Sequence, residues 1–112
     1  MNTDSLRTKL MEFLQRHRGR ACAIPREKLL FELQCFDPKL DDRRFRELYS
    51  ALPICTCPSG MFLPKSPEEV QEFKAYLTKG WGPIVADRRT RIIFAYYPGL
   101  AAASMKQQSL EL

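Results

Sequence analysis

A change of periodicity inside residues 41–64 constrains this chain more than any other stretch. Phe45, Leu48, Tyr49 and Leu52 fall at i, i+3, i+4 and i+7, the spacing of one helical face. Asp41 stands where an N-cap carboxylate belongs, and Pro53 ends the helix. The remaining sides carry Arg43, Arg44, Arg46, Glu47 and Ser50. Immediately afterwards, Ile54-Cys55-Thr56 and Met61-Phe62-Leu63 read as short β-prone runs. Pro58-Ser59-Gly60 between them supplies turn chemistry, with Gly60 free to take positive φ. The expectation is an amphipathic helix running straight into a tight β-hairpin.

Two helices are predicted ahead of this unit. Leu6, Leu10, Phe13, Leu14 and His17 make a helical stripe over about 4–18, capped by Thr3 or Asp4 and stopped by Gly19. Ala21-Cys22-Ala23-Ile24 is a short apolar link. Pro25 opens a second helix as its N1 residue; Leu29, Leu30 and Leu33 form its buried side, and Phe31 falls off that stripe. Asp37-Pro38 initiates a turn in which Phe36 and Leu40 are expected to plug the corner between helices.

After the hairpin, Ser66-Pro67-Glu68-Glu69 is a helix start. Ser66 is the cap, Pro67 is N1 and Glu69 completes a capping box. That helix is predicted to run to about Lys79, burying Val70, Phe73 and Leu77. Gly80-Trp81-Gly82-Pro83 forces a kink or a short turn. A fifth helical segment follows with Ile84, Val85, Ile92, Ile93, Phe94, Tyr96 and Tyr97, and Arg88-Arg89-Thr90-Arg91 is expected on its outer face. Pro98-Gly99 ends it. The organisation expected is a core over 1–66, a C-terminal helical extension over 67–98 packed on it, and a flexible tail over 99–112.

The chain has 112 residues, enough for one domain with one core. Its net charge of +5 permits a nucleic-acid partner without requiring one. No apolar run reaches the ~20 residues of a membrane span. The start Met1-Asn2-Thr3-Asp4-Ser5 lacks the features of a signal peptide, so a cytoplasmic setting is expected. Four cysteines, Cys22, Cys35, Cys55 and Cys57, are then expected as free thiols. Cys55-Thr56-Cys57 has one intervening residue where zinc sites use two to four, so small, mostly buried side chains are the expectation, with no metal or cofactor. Enzymatic activity is not expected. The single histidine, His17, lies on a buried stripe, and no Gly-rich phosphate loop, His-Glu-x-x-His helix or Gly-x-Ser-x-Gly elbow is present.

The order of signals from Gly19 to Leu77 resembles that of small winged helix-turn-helix proteins of phages and prophages. The residues that carry the likeness are Ile24-Pro25, the arginine-bearing stretch Arg43 to Leu52, Pro53-Ile54, Gly60-Met61-Phe62-Leu63-Pro64 and Ser66-Pro67-Glu68-Glu69. They cover about half the chain. Leu52 stands where such proteins often have glycine, Met61 where an aromatic is common, and the Gly80 to Pro83 break interrupts a helix expected to be continuous. The resemblance implies a mostly α (α+β) winged helix-turn-helix with a short β-hairpin wing and one or two extra C-terminal helices. It also implies binding of double-stranded DNA in a regulatory or accessory role.

On that reading the third helix enters the major groove and the hairpin leans on the backbone. Arg43, Arg44 and Arg46 are the expected contacts, because a guanidinium reads guanine bidentately and also grips phosphate. Ser50 lies on the same helix, and Lys39, Arg26 and Lys65 are placed for phosphates. Homodimerisation through the aromatic C-terminal segment is a further expectation; a membrane and a small-molecule substrate are not. The alternative is a protein-interaction module without DNA binding.

Overall fold

A computed structural model describes residues 2–103. The fold is mostly helical, with one small two-stranded antiparallel sheet. The order is α1 (Thr3–Leu14), a 3-10 turn (Arg20–Cys22), α2 (Arg26–Gln34), α3 (Asp42–Ser50), β1 (Cys55–Cys57), β2 (Gly60–Phe62), α4 (Pro67–Trp81) and α5 (Pro83–Tyr96).

The caps follow from local chemistry. Asp41 accepts from Arg44 N at 2.8 Å and starts α3. Ser66 accepts from Glu69 N at 3.4 Å and starts α4, with Pro67 at N1. The return half of the expected capping box is different: Glu69 accepts from the backbone N–H groups of Lys65, at 2.9 Å, and Arg20, at 2.7 Å. One carboxylate therefore ties the start of α4 to the chain leaving α1. α1 is capped by Asn2 rather than Thr3 or Asp4, and it stops at Leu14, short of Arg18. Pro25 is the N-cap of α2, one position ahead of the expected N1.

His17 leaves the α1 stripe because residues 17–24 serve the sheet. Leu63 N donates to His17 O, and Gly19 N to Leu63 O, at 2.9 and 2.8 Å. His17 Nδ1 lies 2.8 Å from Cys22 O. Ile24 then pairs antiparallel with Met61 through two backbone hydrogen bonds of 2.9 and 2.8 Å. The apolar link is thus a one-residue strand along the free side of β2. At this crossing Gly60, at φ 135°, has no room for a side chain: an added Cβ would lie 2.1 Å from Ile24 O. The hairpin turn proper is Pro58-Ser59, and Gly60 is already in β2.

Alternation along the strands gives the sheet two buried faces. Met61 and Leu63 pack, with Ile54, into a cluster built from α1, α2 and α3, including Leu6, Leu10, Leu14, Leu29 and Phe45. Phe62 and Cys55 face the other way, onto Val70, Phe73 and Leu77 of α4 and Ala86 and Ile93 of α5. Leu40 is buried at the α2–α3 corner as expected, while Phe36 is partly exposed against Phe13, with ring centroids 6.0 Å apart. Phe31 is exposed.

The expected interruption at residues 80–83 separates two helices but is a single residue wide. The break falls at Gly82, whose φ of 92° suits glycine, and both Gly80 and Trp81 remain in α4. α5 buries Ala86, Thr90 and Ile93, not Ile84, which is 75% exposed. The two smaller of these, Ala86 and Thr90, stand one turn apart on the face that meets α4, and Ile93 fills the next turn. Residues 98–103 are again helical, so the part of the expected 99–112 tail that is described is not extended chain; residues 104–112 lie outside the described residues. No helix among the described residues is long and apolar enough to cross a membrane.

Candidate functional site

α3 is held to the core by Phe45 and Leu48, with Leu52 just beyond its end, all essentially inaccessible. Burial of each is worth roughly 1.5–3 kcal/mol. Phe45 meets Tyr49 edge-on at 5.2 Å, and the Arg26 guanidinium lies over both rings, at 5.1 and 5.7 Å. These contacts fix which way the arginines of α3 emerge.

The three arginines do not share a face. At about 100° per residue, Arg44 and Arg46 leave the helix roughly 160° apart, with Arg43 outward between them. Arg43 is 90% exposed and pairs along the helix with Glu47 at 3.5 Å. Arg46 is 64% exposed and lies 3.4 Å from Asp42 Oδ2. Arg44 turns back to Asp37, at 3.3 Å, whose carboxylate is nearly buried. Asp37 also accepts from Lys39 N at 3.2 Å, and the Lys39 side chain is exposed. Ser50 donates to the Arg46 carbonyl at 2.7 Å.

Two of the expected phosphate contacts are placed elsewhere. Arg26 is half-buried and already paired: Nη1 bonds Asp42 Oδ1 at 2.6 Å. Burial opposes its charge, but the hydrogen bonds to Asp42 and Tyr49 outweigh that and hold the guanidinium above its ordinary value. Arg26 thus joins α2 to α3. Lys65 lies over Gly19 and beside Glu69, just ahead of α4. The hairpin is covered on both faces, so its exposed part reduces to Pro58 and Ser59.

Arg89 corrects the reading of the 88–91 run. It points inward from α5, donates from Nη2 to Ile54 O at 3.0 Å, and stacks over Tyr49 and Phe73 at 5.9 and 5.6 Å. Burial pushes its pKa down. The available signal was spacing: Arg89 lies three residues after Ala86 and four before Ile93, on the flank of the buried stripe of α5. Its side chain lines a cleft of about 310 Å³ between the end of α3, β1 and the α4–α5 hairpin. Arg46, Tyr49 and Ser50 form one wall; Leu77, Trp81 and Val85 form the other.

The aromatic C-terminal segment divides. Phe94 and Tyr97 pack on the protein's own second cluster, whereas Tyr96 and Trp81 are exposed, Trp81 by 72%. Cys55 is buried and its thiol is pushed up by that burial; Cys22 and Cys35 are exposed and far apart in the chain. Among the described residues no three His, Cys, Asp or Glu side chains converge as metal ligands would. Comparison of the chain with protein-family models, with curated proteins and with solved structures gives no match.

Proposed function

We propose that this chain is a winged helix-turn-helix domain that binds double-stranded DNA through α3, in a regulatory or phage- and prophage-type accessory role. The observation that carries the reading is the Ile24–Met61 pairing. It adds a strand between α1 and α2 to the hairpin, so the order becomes helix, strand, helix, helix, strand, turn, strand. In this order α3 is the helix presented to a major groove. Arg43 and Arg46 are the principal contacts, being the most exposed guanidinium groups of α3 and held only by exposed carboxylates. Phosphate displaces such partners at small cost, since exposed ion pairs contribute at most ~1 kcal/mol. Lys39 adds a phosphate contact from the turn, Ser50 lies at the far end of the footprint, and the Pro58-Ser59 tip touches the backbone.

The experiment is a salt titration of binding to random duplex DNA, read by fluorescence anisotropy. Wild type is compared with Arg43→Ala/Arg46→Ala; Arg44 is left intact because it satisfies the nearly buried Asp37 carboxylate. Each phosphate contact contributes about −0.9 to the slope of log K against log salt, so the double variant should bind weakly with a slope shallower by about 2. Absence of wild-type binding at low salt, with both proteins folded by circular dichroism, would eliminate the proposal.

A second reading is protein docking without DNA. It is favoured by the tip of the α4–α5 hairpin, where Trp81 and Ile84, on either side of the Gly82 break, are both exposed. The same tip, with Tyr96 further along α5, is where a homodimer contact would form. Pull-down of a defined partner that fails with Trp81→Ala/Ile84→Ala, alongside no DNA affinity, would favour it.

A further inference from the structure

We infer that the cleft between α3 and the α4–α5 hairpin is a binding site for a small ligand that joins a planar aromatic ring to an anionic phosphate or carboxylate group. The inference goes beyond DNA binding and does not rest on it.

Its volume of about 310 Å³ falls at the lower end of small-molecule sites. The lining has two parts. Tyr49, Trp81, Leu77 and Val85 offer flat and aliphatic surface, while Arg46, Arg89 and the hydroxyl groups of Ser50 and Thr56 are polar. Both charged lining residues are cations, and no carboxylate lines the cleft.

Arg89 is the decisive group. A guanidinium removed from water ordinarily meets a carboxylate, because an unpaired buried charge is costly. Among the described residues Arg89 has none: its partners are the Ile54 carbonyl and two ring faces, and its Nε is buried without an acceptor. Arg46, on the opposite wall, is held by Asp42 only at 3.4 Å, and that carboxylate already serves Arg26 at 2.6 Å. An anion seated between Arg89 and Arg46 supplies the missing countercharge. A ring attached to it lies against Trp81 and Tyr49, where stacking and burial of apolar surface add affinity. Guanidinium groups suit phosphate and carboxylate alike through paired N–H donors.

Phenyl phosphate is the probe, with phenol and inorganic phosphate as its two halves. Trp81 is the sole tryptophan, so its indole N–H resonance reports occupancy without ambiguity in a nuclear magnetic resonance titration of the full chain. Saturable shifts of the Trp81 indole and of the Thr56 and Arg89 amides with phenyl phosphate, and at least about tenfold weaker binding of phenol and of inorganic phosphate, are expected. Arg46→Gln, a surface change that leaves the core intact, should weaken phenyl phosphate about tenfold, the loss of one charge-assisted hydrogen bond. Arg89→Lys keeps the charge but loses the fork, and should weaken it as well. Equal binding of phenol and phenyl phosphate, or an unchanged affinity in Arg46→Gln, would overturn the inference. So would shifts at Trp81 and Arg89 produced by duplex DNA but not by phenyl phosphate, which would make the cleft part of a nucleic-acid surface.

Discussion

Gly60→Ala tests the architecture at its tightest point. An ideal Cβ at residue 60 would sit 2.1 Å from the Ile24 oxygen and 2.4 Å from its carbonyl carbon. An ordinary C···O approach is about 3.3 Å, so the Ile24 strand must retreat by roughly 1 Å. Both hydrogen bonds between Ile24 and Met61, now 2.9 and 2.8 Å, then exceed any useful length. Two lost bonds with poorly solvated partners cost about 1–2 kcal/mol each, and alanine at positive φ adds about 1–2 kcal/mol. The restricted unfolded chain returns at most ~1 kcal/mol. The net loss is about 2–5 kcal/mol, centred on about 3.5, a large share of the ~5–15 kcal/mol that stabilises a domain. In urea, with a slope of about 1.5–2 kcal/mol per molar, the midpoint should fall by about 2 M. Ser59→Ala, one residue away in the exposed turn, is the control and should leave the midpoint nearly unchanged. A Gly60→Ala midpoint within about 0.5 M of wild type would refute the close approach of the Ile24 strand.

Three further outcomes are expected. Phe45→Ala, at a fully buried site that also supports Arg26, should lose about 3–5 kcal/mol in chemical denaturation, and a loss below 1 would contradict its central place. Ser66→Ala should lower stability by about 0.5–1 kcal/mol, the low end for a helix cap, because its hydrogen bond is long at 3.4 Å; thermal melts read this directly. Asp42 has a depressed pKa, set first by the hydrogen bond from Arg26, opposed by burial, and reinforced by the charges of Arg26 and Arg46. Its contribution is therefore complete above the unfolded carboxylate value of about 3.9 and is lost as pH falls through the lower folded value. Asp42→Asn should flatten that part of the acid unfolding curve, and a curve as steep as wild type's would count against the Arg26–Asp42 pair.

Features governed by nearest neighbours in sequence were legible. Asp41 and Ser66 cap because a carboxylate or hydroxyl reaches the N–H three residues on, and no distant partner is required. The α3 core face followed from spacing alone, as did the outward position of Arg43 beside Glu47 one turn on. α5 was harder. Apolar residues occur on every side of 83–97, so periodicity could not choose a face. The choice was made by α4, which accepts the small side of Ala86 and Thr90 and leaves Ile84 in solvent. The fate of each cation was likewise tertiary. Arg26 found Asp42 on α3, Lys65 fell on Gly19, and Arg89 turned into the hairpin edge, none of which is written in the local pattern. Gly60 read as a turn residue, whereas its stronger constraint is a backbone segment arriving from residue 24.

The hairpin with two covered faces makes the chain indivisible. Its strands are three residues each, and a two-stranded ribbon of that size does not hold its shape in water. The α1–α3 side grips Met61 and Leu63, and the α4–α5 side grips Phe62 and Cys55. Cutting the gene after Lys65 would yield a fragment with an oily sheet surface and a bare strand edge, a template for aggregation rather than a minimal binding module. Engineering that treats residues 67–98 as a dispensable appendage would therefore fail at the level of solubility. A fusion partner belongs on the N-terminal side of α1, where no shared layer is split and the hairpin tip stays free.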